Sequence, residues 1–377
     1  MNVVFLVTDA MGGYGGIAKF NRDFIEALET YNGIKKITLF PCFLPLRTNL
    51  KLKTSKVDYV EMASKGKLNY ILAVLKFCFK PKPAREVDAI LCGHIHLLPA
   101  AVLIHWFTRA NIHLTLHGLE AWHPPKIGAV ISRFLLKKVR GFISVSYFTR
   151  DKFIEWTGLN PCEISILPNS VDLGRFFPGP PHEGLLRKHC LEGKKILLTV
   201  GRLEGREKFK GFDQIIEILP SLSLKIPDLV YMIVGDGTDR ERLEKKAEEL
   251  GVQKQVIFAG YVEEAEKADY YRLADLYVMP SKVEGFGIVY LEALACGIPV
   301  IGSKADASRE VLQEGGWGVL VDPDNLKELE NVILRSLDKK RGMVPDGLSR
   351  YSRFVFQKTC HTLFDRIQKD IADTVKT

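Results

Sequence analysis

Two glutamates, Glu284 and Glu292, bracket seven residues in the segment EGFGIVYLEALACGIPVI, Glu284 to Ile301. Glu284 lies in a glycine-rich loop just after the apolar run ADLYVMPS. Glu292 falls in the helix predicted to follow, about two turns in, on the face that looks back at the loop. A Gly-x-Pro-Val-Ile strand comes next, Gly297 to Ile301. Strand, glycine loop, helix and strand in so short a span make an α/β unit. The start of the helix, beside Gly285, Phe286 and Gly287, offers backbone N–H groups to an anion. A carboxylate only accepts hydrogen bonds, so it suits hydroxyls better than phosphate. Phosphate and polyol recognised at one place describe a sugar nucleotide. The plain alternative is a solvated loop glutamate and a helix-surface glutamate.

Three further segments carry groups of the same kind. VGRLEGREKFKGFD, Val200 to Asp213, follows a predicted strand and supplies Arg202 and Lys210. Cations at a strand end stabilise the charge that a departing diphosphate gains, Arg as a bidentate fork and Lys as a point charge. TLHGLE, Thr115 to Glu120, ends a strand with His117, and LCGHIHLLP places His94 and His96 after the strand before it. These two could line an acceptor site. GGYGGIAKF, Gly12 to Phe20, follows the first strand and opens a helix. Gly13, Gly15 and Ala18 form a partial dinucleotide fingerprint. That fingerprint also wants an acid at the end of the second strand, and ITLFPCF has none.

The set resembles the retaining glycosyltransferases of family 4, the group 1 glycosyltransferases. The resemblance runs from Gly12 to about Asp324 in the family's order, and VGDGTD, FAGYV and ILPNSVD belong to it as well. It implies the GT-B fold, α/β with two Rossmann-like parallel-sheet domains facing a cleft. It implies transfer of a sugar from a nucleotide-diphosphate donor to a hydroxyl acceptor. By the same resemblance Glu284 contacts the sugar and Glu292 the ribose, while Arg202 and Lys210 clamp the diphosphate. His117 touches the sugar near the reaction centre. Gly15 and Gly16 approach the diphosphate and the acceptor. Tyr261 and Val262 pack by the base, and Gly285, Phe286 and Gly287 complete the donor loop. The donor is a substrate, and no cofactor or metal is expected, because the Arg and Lys take the place of a cation. Asp322 and Asp324 form a DPD sequence that reads as a turn. One departure stands out: where many members have Gly-Gly-x-x-Glu after the Pro-Val-Ile strand, this chain has GSKADASRE, Gly302 to Glu310.

These groups need elements to hold them. Alternating apolar runs and helical stretches imply parallel sheets covered on both faces. In the first half, Val3–Thr8, Lys36–Phe40, Ala89–Cys92, His113–Leu116, Phe142–Val145 and Glu163–Leu167 read as strands. Helices are expected over Ile17–Glu29, from about Leu98, and over Phe148–Trp156. FFPGPPHEG is the densest Pro/Gly cluster, so the expected domains are residues 1–175, a linker over 176–193, and residues 194–354. A last helix over about 355–377 can pack back on the first domain. In the second half the rhythm restarts with ILLTVG, a helix over about Phe212–Ile218, LVYMIVGDG, a helix over Arg240–Leu250, and VIFAG.

The 377 residues carry a net charge of +8. Residues 1–175 hold 23 Lys and Arg against 13 Asp and Glu, and the rest holds 30 against 32. No nucleic-acid motif accompanies the excess, so an anionic membrane surface is the expected partner rather than nucleic acid. Leu68–Arg85 and Ile127–Arg140 mix apolar and basic residues as interfacial helices do. The seven scattered cysteines fit a reducing compartment. MNVVFLVTDAMGG reads as a first strand rather than a signal peptide, and no run is long enough to span a bilayer. A cytoplasmic protein, peripheral on the inner face of the membrane, is the expected location, with a lipid-linked or cell-surface glycan precursor as acceptor. Two other classes fit the same fold: a sugar-nucleotide epimerase, which needs acid/base carboxylates, and a non-catalytic sugar-nucleotide-binding relative, which would have lost Glu284, Arg202 or Lys210.

Overall fold

The computed structural model describes residues 1–10, 15–43, 56–81, 86–124, 129–205 and 208–376. The chain divides into two compact units, Met1–Ser170 with Arg353–Thr377, and Val171–Ser352. Residues 176–193, expected as a linker, lie inside the second unit. Gly12 and Gly13 of the first glycine loop, Lys82–Arg85 and Arg206 fall outside the described residues.

In the first unit the described strands are β1 (Asn2–Asp9), β2 (Lys36–Phe43), β3 (Val57–Tyr59), β4 (Ala89–Cys92), β5 (Asn111–Leu116), β6 (Val139–Ser144) and β7 (Ile164–Ile166). They form one parallel sheet in the order β3-β2-β1-β4-β5-β6-β7. Its helices are α1 (Gly16–Thr30), α2 (Lys67–Cys78), α3 (Leu98–Thr108), α4 (Leu119–Trp122), α5 (Ala129–Leu136) and α6 (Tyr147–Thr157), and its last helix is α14 (Arg353–Lys376). Side chains alternate across each strand, so one strand feeds two cores. Val4 and Leu6 of β1 join the cluster under α2 and α3 that includes Tyr70, Val74, Phe77, Leu98 and Ala101. Phe5 points the other way, with its ring 5.6 Å from that of Phe24 in α1. Helix α14 covers α1 on that face. Phe356 stands 5.6 Å from Phe20, and Phe364 stands 5.3 Å from Phe24.

The second unit repeats the plan. Its strands are β8 (Lys195–Val200), β9 (Leu229–Val234), β10 (Val256–Gly260), β11 (Leu276–Val278), β12 (Val300–Ser303) and β13 (Val319–Val321). They lie parallel in the order β10-β9-β8-β11-β12-β13. Helices α7 (Glu183–Lys188), α8 (Phe212–Lys225), α9 (Arg240–Glu249), α10 (Lys267–Leu273), α11 (Ile288–Ala295), α12 (Ser308–Val311) and α13 (Leu326–Ser336) complete it. Helix α8 runs well past the expected stop at Ile218 and contains Pro220. Its buried stripe of Ile215, Ile216, Leu219 and Leu222 outweighs the one amide that proline removes. The start of α8 is tied to α9. Arg242 donates to both oxygens of Asp213 at 2.7 and 2.8 Å, and Lys246 adds a third bond at 2.7 Å. Burial alone would raise the Asp213 carboxyl, but these donors hold it down at about 2.

The two units should respond to acid in opposite directions. His94 and His113 in the first unit are 8% and 5% exposed. Burial lowers both imidazoles to about 4. Unfolding raises them back toward 6.5, so the unfolded chain binds more protons between pH 6.5 and 4. Stability of the first unit is therefore full above pH 6.5 and falls as pH drops toward 4, by roughly 3 kcal/mol per histidine at most. In the second unit burial raises Asp306 to about 7. Its contribution has the reverse sign and grows as pH falls from 7 toward 4. Segment-resolved hydrogen exchange at pH 7 and pH 5, corrected for intrinsic rates, checks this. Peptides of β4 and β5 should lose protection while those of β11 and β12 keep or gain it; the opposite order refutes it.

Candidate functional site

The second unit gathers its charged groups where strands end and glycines let loops touch. After β8 the backbone runs Gly201-Arg202-Leu203, and after β9 it runs Gly235-Asp236-Gly237. The two turns lie at backbone contact, joined by Leu203 N–H to the Asp236 carbonyl at 3.0 Å and Asp239 N–H to the Leu203 carbonyl at 2.7 Å. A Cβ on Gly235 would lie 1.9 Å from the Gly201 carbonyl oxygen, so no other residue fits. Arg202 emerges from this stack as an exposed side chain.

Lys210 reaches the same edge by a different route. Gly211, which follows it, has φ +89° and sits so close to Pro280 that a Cβ would meet the ring at 2.7 Å. That seats residues 208–210 against the segment after β11, where Lys282 N–H donates to the Phe209 carbonyl at 2.8 Å. The Lys210 stem passes over Gly201, and its Nζ lies 3.8 Å from the Glu284 carboxylate. Both side chains are mostly buried, at 15% and 22% exposure. Glu284 is held in turn by the loop after β12, whose Ala307 N–H donates to its carbonyl at 3.1 Å. Gly287 caps α11 at φ +92°, and a Cβ there would strike Tyr290 and press on Glu284. So Arg202 and Lys210 come from the connection after β8, and Glu284 from the one after β11.

Glu292 is placed differently from the expectation. It lies one turn into α11 rather than two, and it is fully buried. The helix begins only at Ile288, because the glycine loop before it is longer than the pattern suggested. Lys267 of α10 donates to Glu292 at 3.2 Å, and the Tyr271 hydroxyl donates at 2.8 Å. Burial works against the Lys267 ammonium, yet Glu292 and Glu264 keep it raised. Phe286 is 2% exposed, and its ring centre lies 5.9 Å from that of Tyr351. Val262 is buried, while Tyr261 is exposed and donates from its hydroxyl to Glu263 at 3.1 Å. Gly285 and Gly287 lie in the turn before α11.

Where the family's paired glycines would stand, Asp306 occupies a buried position. Its Oδ1 accepts from the Ser308 backbone at 3.0 Å, and its Oδ2 is buried with no hydrogen-bond partner. Asp322 and Asp324 form a turn, as expected: Asp324 N–H donates to Asp322 at 2.9 Å, and Asn325 caps α13. Among the described residues no group of three His, Cys, Asp or Glu is arranged to hold a metal.

The first unit brings its histidines together at the carboxyl edge of its sheet. His117 follows β5, and its Nε2 lies 2.9 Å from the Gly93 carbonyl, which accepts from it. That bond puts the proton on Nε2 and leaves Nδ1 an acceptor. The Glu120 carboxylate accepts from the His117 and Gly118 backbone N–H groups at 2.7 and 3.1 Å. Burial lowers the His117 imidazole and keeps it neutral. His94 accepts the His96 N–H at 3.2 Å, and the two rings stand 4.8 Å apart. His94 is buried and His96 exposed. Gly15 caps α1 at φ +102°, and Gly16 opens onto empty space. The supporting residues Lys267, Tyr271, Glu120 and Asp306 were not singled out from sequence. Glu120 and Asp306 did lie inside quoted segments, TLHGLE and GSKADASRE.

Comparison with known proteins gives the family and the fold. The family described as "Glycosyl transferases group 1" matches residues 186–352, and "Glycosyltransferase Family 4" matches residues 14–175. The GDP-mannose-dependent alpha-(1-6)-phosphatidylinositol monomannoside mannosyltransferase of Mycobacterium tuberculosis is 33% identical, over 67% of this chain and 68% of that protein. The protein of the same name from Mycolicibacterium smegmatis is 33% identical over 50% of each. The phosphatidyl-myo-inositol mannosyltransferase of Mycobacterium tuberculosis is 36% identical over 54% of each. The matched region thus spans between half and about two thirds of these relatives. Among solved structures, sucrose-phosphate synthase from Thermosynechococcus elongatus superposes with a TM-score of 0.77 at 18% identity, over 98% of this chain and 100% of that one. Anabaena HepE in complex with UDP-glucose gives 0.72 at 20% identity, over 100% and 99%. These likenesses establish the GT-B fold, with its two parallel-sheet α/β domains. With its two family matches and its relatives, the chain belongs to the group 1 glycosyltransferases of family 4.

Proposed function

We propose that this chain is a retaining, metal-independent glycosyltransferase that moves a sugar from a nucleotide-diphosphate sugar to a hydroxyl of a lipid-linked acceptor. The observation that carries this is the Lys210–Glu284 pair at 3.8 Å, on the unit that also presents exposed Arg202 just after β8. A sugar diphosphate needs cations for the phosphates and an acceptor of hydroxyl hydrogens for the sugar, close together. The names of the relatives support a nucleotide-sugar donor and a phosphoinositide-type acceptor. GDP-mannose is the first donor to test. On this reading the bond from the anomeric carbon to the diphosphate breaks, and its electrons stay on the phosphate oxygen. Lys210 and Arg202 stabilise that growing charge. The acceptor oxygen bonds to the anomeric carbon from the same face, and its proton passes to the leaving phosphate. Neutral His117, with Nδ1 free to accept, orients a sugar hydroxyl. The protein works as a peripheral enzyme at an anionic membrane surface on the cytoplasmic side. Among the described residues no helix is long and apolar enough to cross a membrane.

Incubation with a panel of nucleotide sugars, read by release of nucleotide diphosphate, tests the donor class. Lys210→Ala and Arg202→Ala should each lower turnover by about 100-fold or more, roughly 3 kcal/mol of transition-state stabilisation, with little change on adding EDTA. Wild-type turnover in either variant, or activity abolished by EDTA, removes the assignment.

Glu292 requires a paired test, because its removal leaves the Lys267 ammonium buried. Glu292→Ala alone should destabilise the second unit by about 3 kcal/mol. Adding Lys267→Met should restore most of that loss. If Glu292 also holds the ribose, nucleotide-diphosphate affinity measured by calorimetry in the double variant should still weaken about ten-fold. An unchanged dissociation constant takes Glu292 out of the binding site.

A further inference from the structure

The connection after β12 puts a carboxyl where many members of the family have only glycine backbone. In GSKADASRE, Gly302 to Glu310, Asp306 and Ala307 stand in the places of the paired glycines. Asp306 is 0% exposed. Its Oδ1 is well used, accepting from the Ser308 N–H at 3.0 Å and from the Ser308 hydroxyl at 2.5 Å. Its Oδ2 has no partner. A buried polar atom without a partner is rare in a native fold and calls for a water or a ligand. The hydroxyls nearby have other bonds. Tyr290 donates to the Met279 carbonyl at 2.7 Å, and Ser303 Oγ accepts from the Ala305 N–H at 3.0 Å. Ser281 Oγ accepts from the Val283 N–H at 3.2 Å. Ser281 eases the burial of the Asp306 carboxyl, yet Oδ2 itself stays unbonded.

The same turn carries Glu284. Ala307, next in the chain, donates its N–H to the Glu284 carbonyl at 3.1 Å. The two carboxyls also sense each other. Burial raises Asp306 to about 7, the Ser308 bonds draw it down, and the Glu284 charge pushes it up again. Near neutral pH, Oδ2 is therefore partly a hydrogen-bond acceptor and partly an O–H donor. On a nucleotide-diphosphate sugar, the phosphate oxygens only accept, so they pair with the protonated form alone. A sugar hydroxyl both donates and accepts, and it pairs with either form. Of the two ligand chemistries at this edge of the unit, Oδ2 fits the polyol.

We propose that Asp306 determines which sugar this chain accepts, its Oδ2 pairing with one hydroxyl of the transferred sugar beside Glu284 and disfavouring a sugar that lacks or inverts that hydroxyl. The inference rests on the reading of Glu284 as the sugar-contacting residue of a nucleotide-sugar site. It adds a side chain that glycines in this turn cannot supply. The desolvation of Oδ2 is already met in the folded protein. A hydroxyl that reaches it, as the Glu284 loop shifts, recovers that cost, and a sugar without the hydroxyl leaves it standing. That asymmetry is how a polar site rejects an analogue missing one group.

The test is calorimetry of the full chain with GDP-mannose, UDP-glucose and UDP-galactose, each beside its nucleotide diphosphate. Deoxy analogues of whichever sugar binds follow, each lacking one hydroxyl. Asp306→Gly and Asp306→Ala should weaken the nucleotide sugar about ten-fold or more while leaving nucleotide-diphosphate affinity within about two-fold, which also shows them folded. Asp306→Asn keeps the shape and a group that pairs with a hydroxyl, so it should stay within about three-fold of the wild type. One deoxy analogue should bind the wild type about ten-fold or more weakly than the parent, and Asp306→Gly should bind that analogue and the parent alike. Equal weakening of sugar nucleotide and diphosphate in the Gly and Ala variants assigns Asp306 to holding the turn and overturns the proposal. So does an analogue penalty that persists unchanged in Asp306→Gly. A wild type that binds no nucleotide sugar, or that loses affinity for none of the analogues, overturns it without any variant. The coupled pattern with no sugar transfer from any donor upholds the role of Asp306 in sugar choice and removes the transferase reading. Transfer without the coupling does the reverse.

Discussion

Close approach of backbone to backbone, made possible by glycine, is the constraint on which the charged cluster depends. Gly235 and Gly237 let the turn after β9 rest on the turn after β8, and Gly211 lets the chain after Lys210 press against Pro280. A Cβ at these positions would meet its nearest neighbour at 1.9, 2.3 and 2.7 Å, so a side chain would push the segments apart. Arg202, Lys210 and Glu284 belong to loops that follow β8 and β11, so their spacing is set by how tightly those loops stack. A parallel sheet brings its strand ends to one edge, but it does not bring side chains within 4 Å. The glycines do that.

Burial gives the neighbouring Glu292 a different physics. In the low dielectric of the core a carboxylate needs compensation, and α10 provides it with an ammonium and a phenol one turn apart. Helices α10 and α11 are thereby locked in register by charge rather than by shape alone. The contrast with Glu284 is instructive. One glutamate is partly open and shares a lysine with the strand-end loops. The other is closed and belongs to the architecture of the unit. Asp306 adds a third environment, a carboxyl with one oxygen capping a turn and the other unsatisfied, at the point where the chain departs from its family's glycines.

Much of this was legible in the residues. The strands Ala89–Cys92 and Val256–Gly260 were bounded correctly because buried parallel strands read as short apolar runs. The KG pair at Lys210–Gly211 and the glycine before Arg202 announced their loops. Helix ends were less legible. Helix α8 continues through Pro220 because its packing outweighs a local breaker, and tertiary burial cannot be seen in a window of sequence. Strand β3, Val57–Tyr59, was missed because three residues at a sheet edge carry too little pattern. The partners of Glu292 were invisible for another reason. Lys267 and Tyr271 occupy ordinary positions in a polar helix, and only the fold shows that they face inward.

The path of the chain has a consequence for how the protein is made. The first unit is discontinuous: the chain leaves it after Ser170, the second unit intervenes, and α14 returns to lie against α1. Phe20 and Phe24 have their aromatic covers, Phe356 and Phe364, on that returning helix. On a ribosome the first unit therefore emerges first and is completed last. Its apolar flank waits, uncovered, until synthesis is nearly over, while the continuous second unit has every strand it needs beforehand. Order of appearance and order of completion are reversed, so the N-terminal half is the part of this nascent chain most in need of a chaperone.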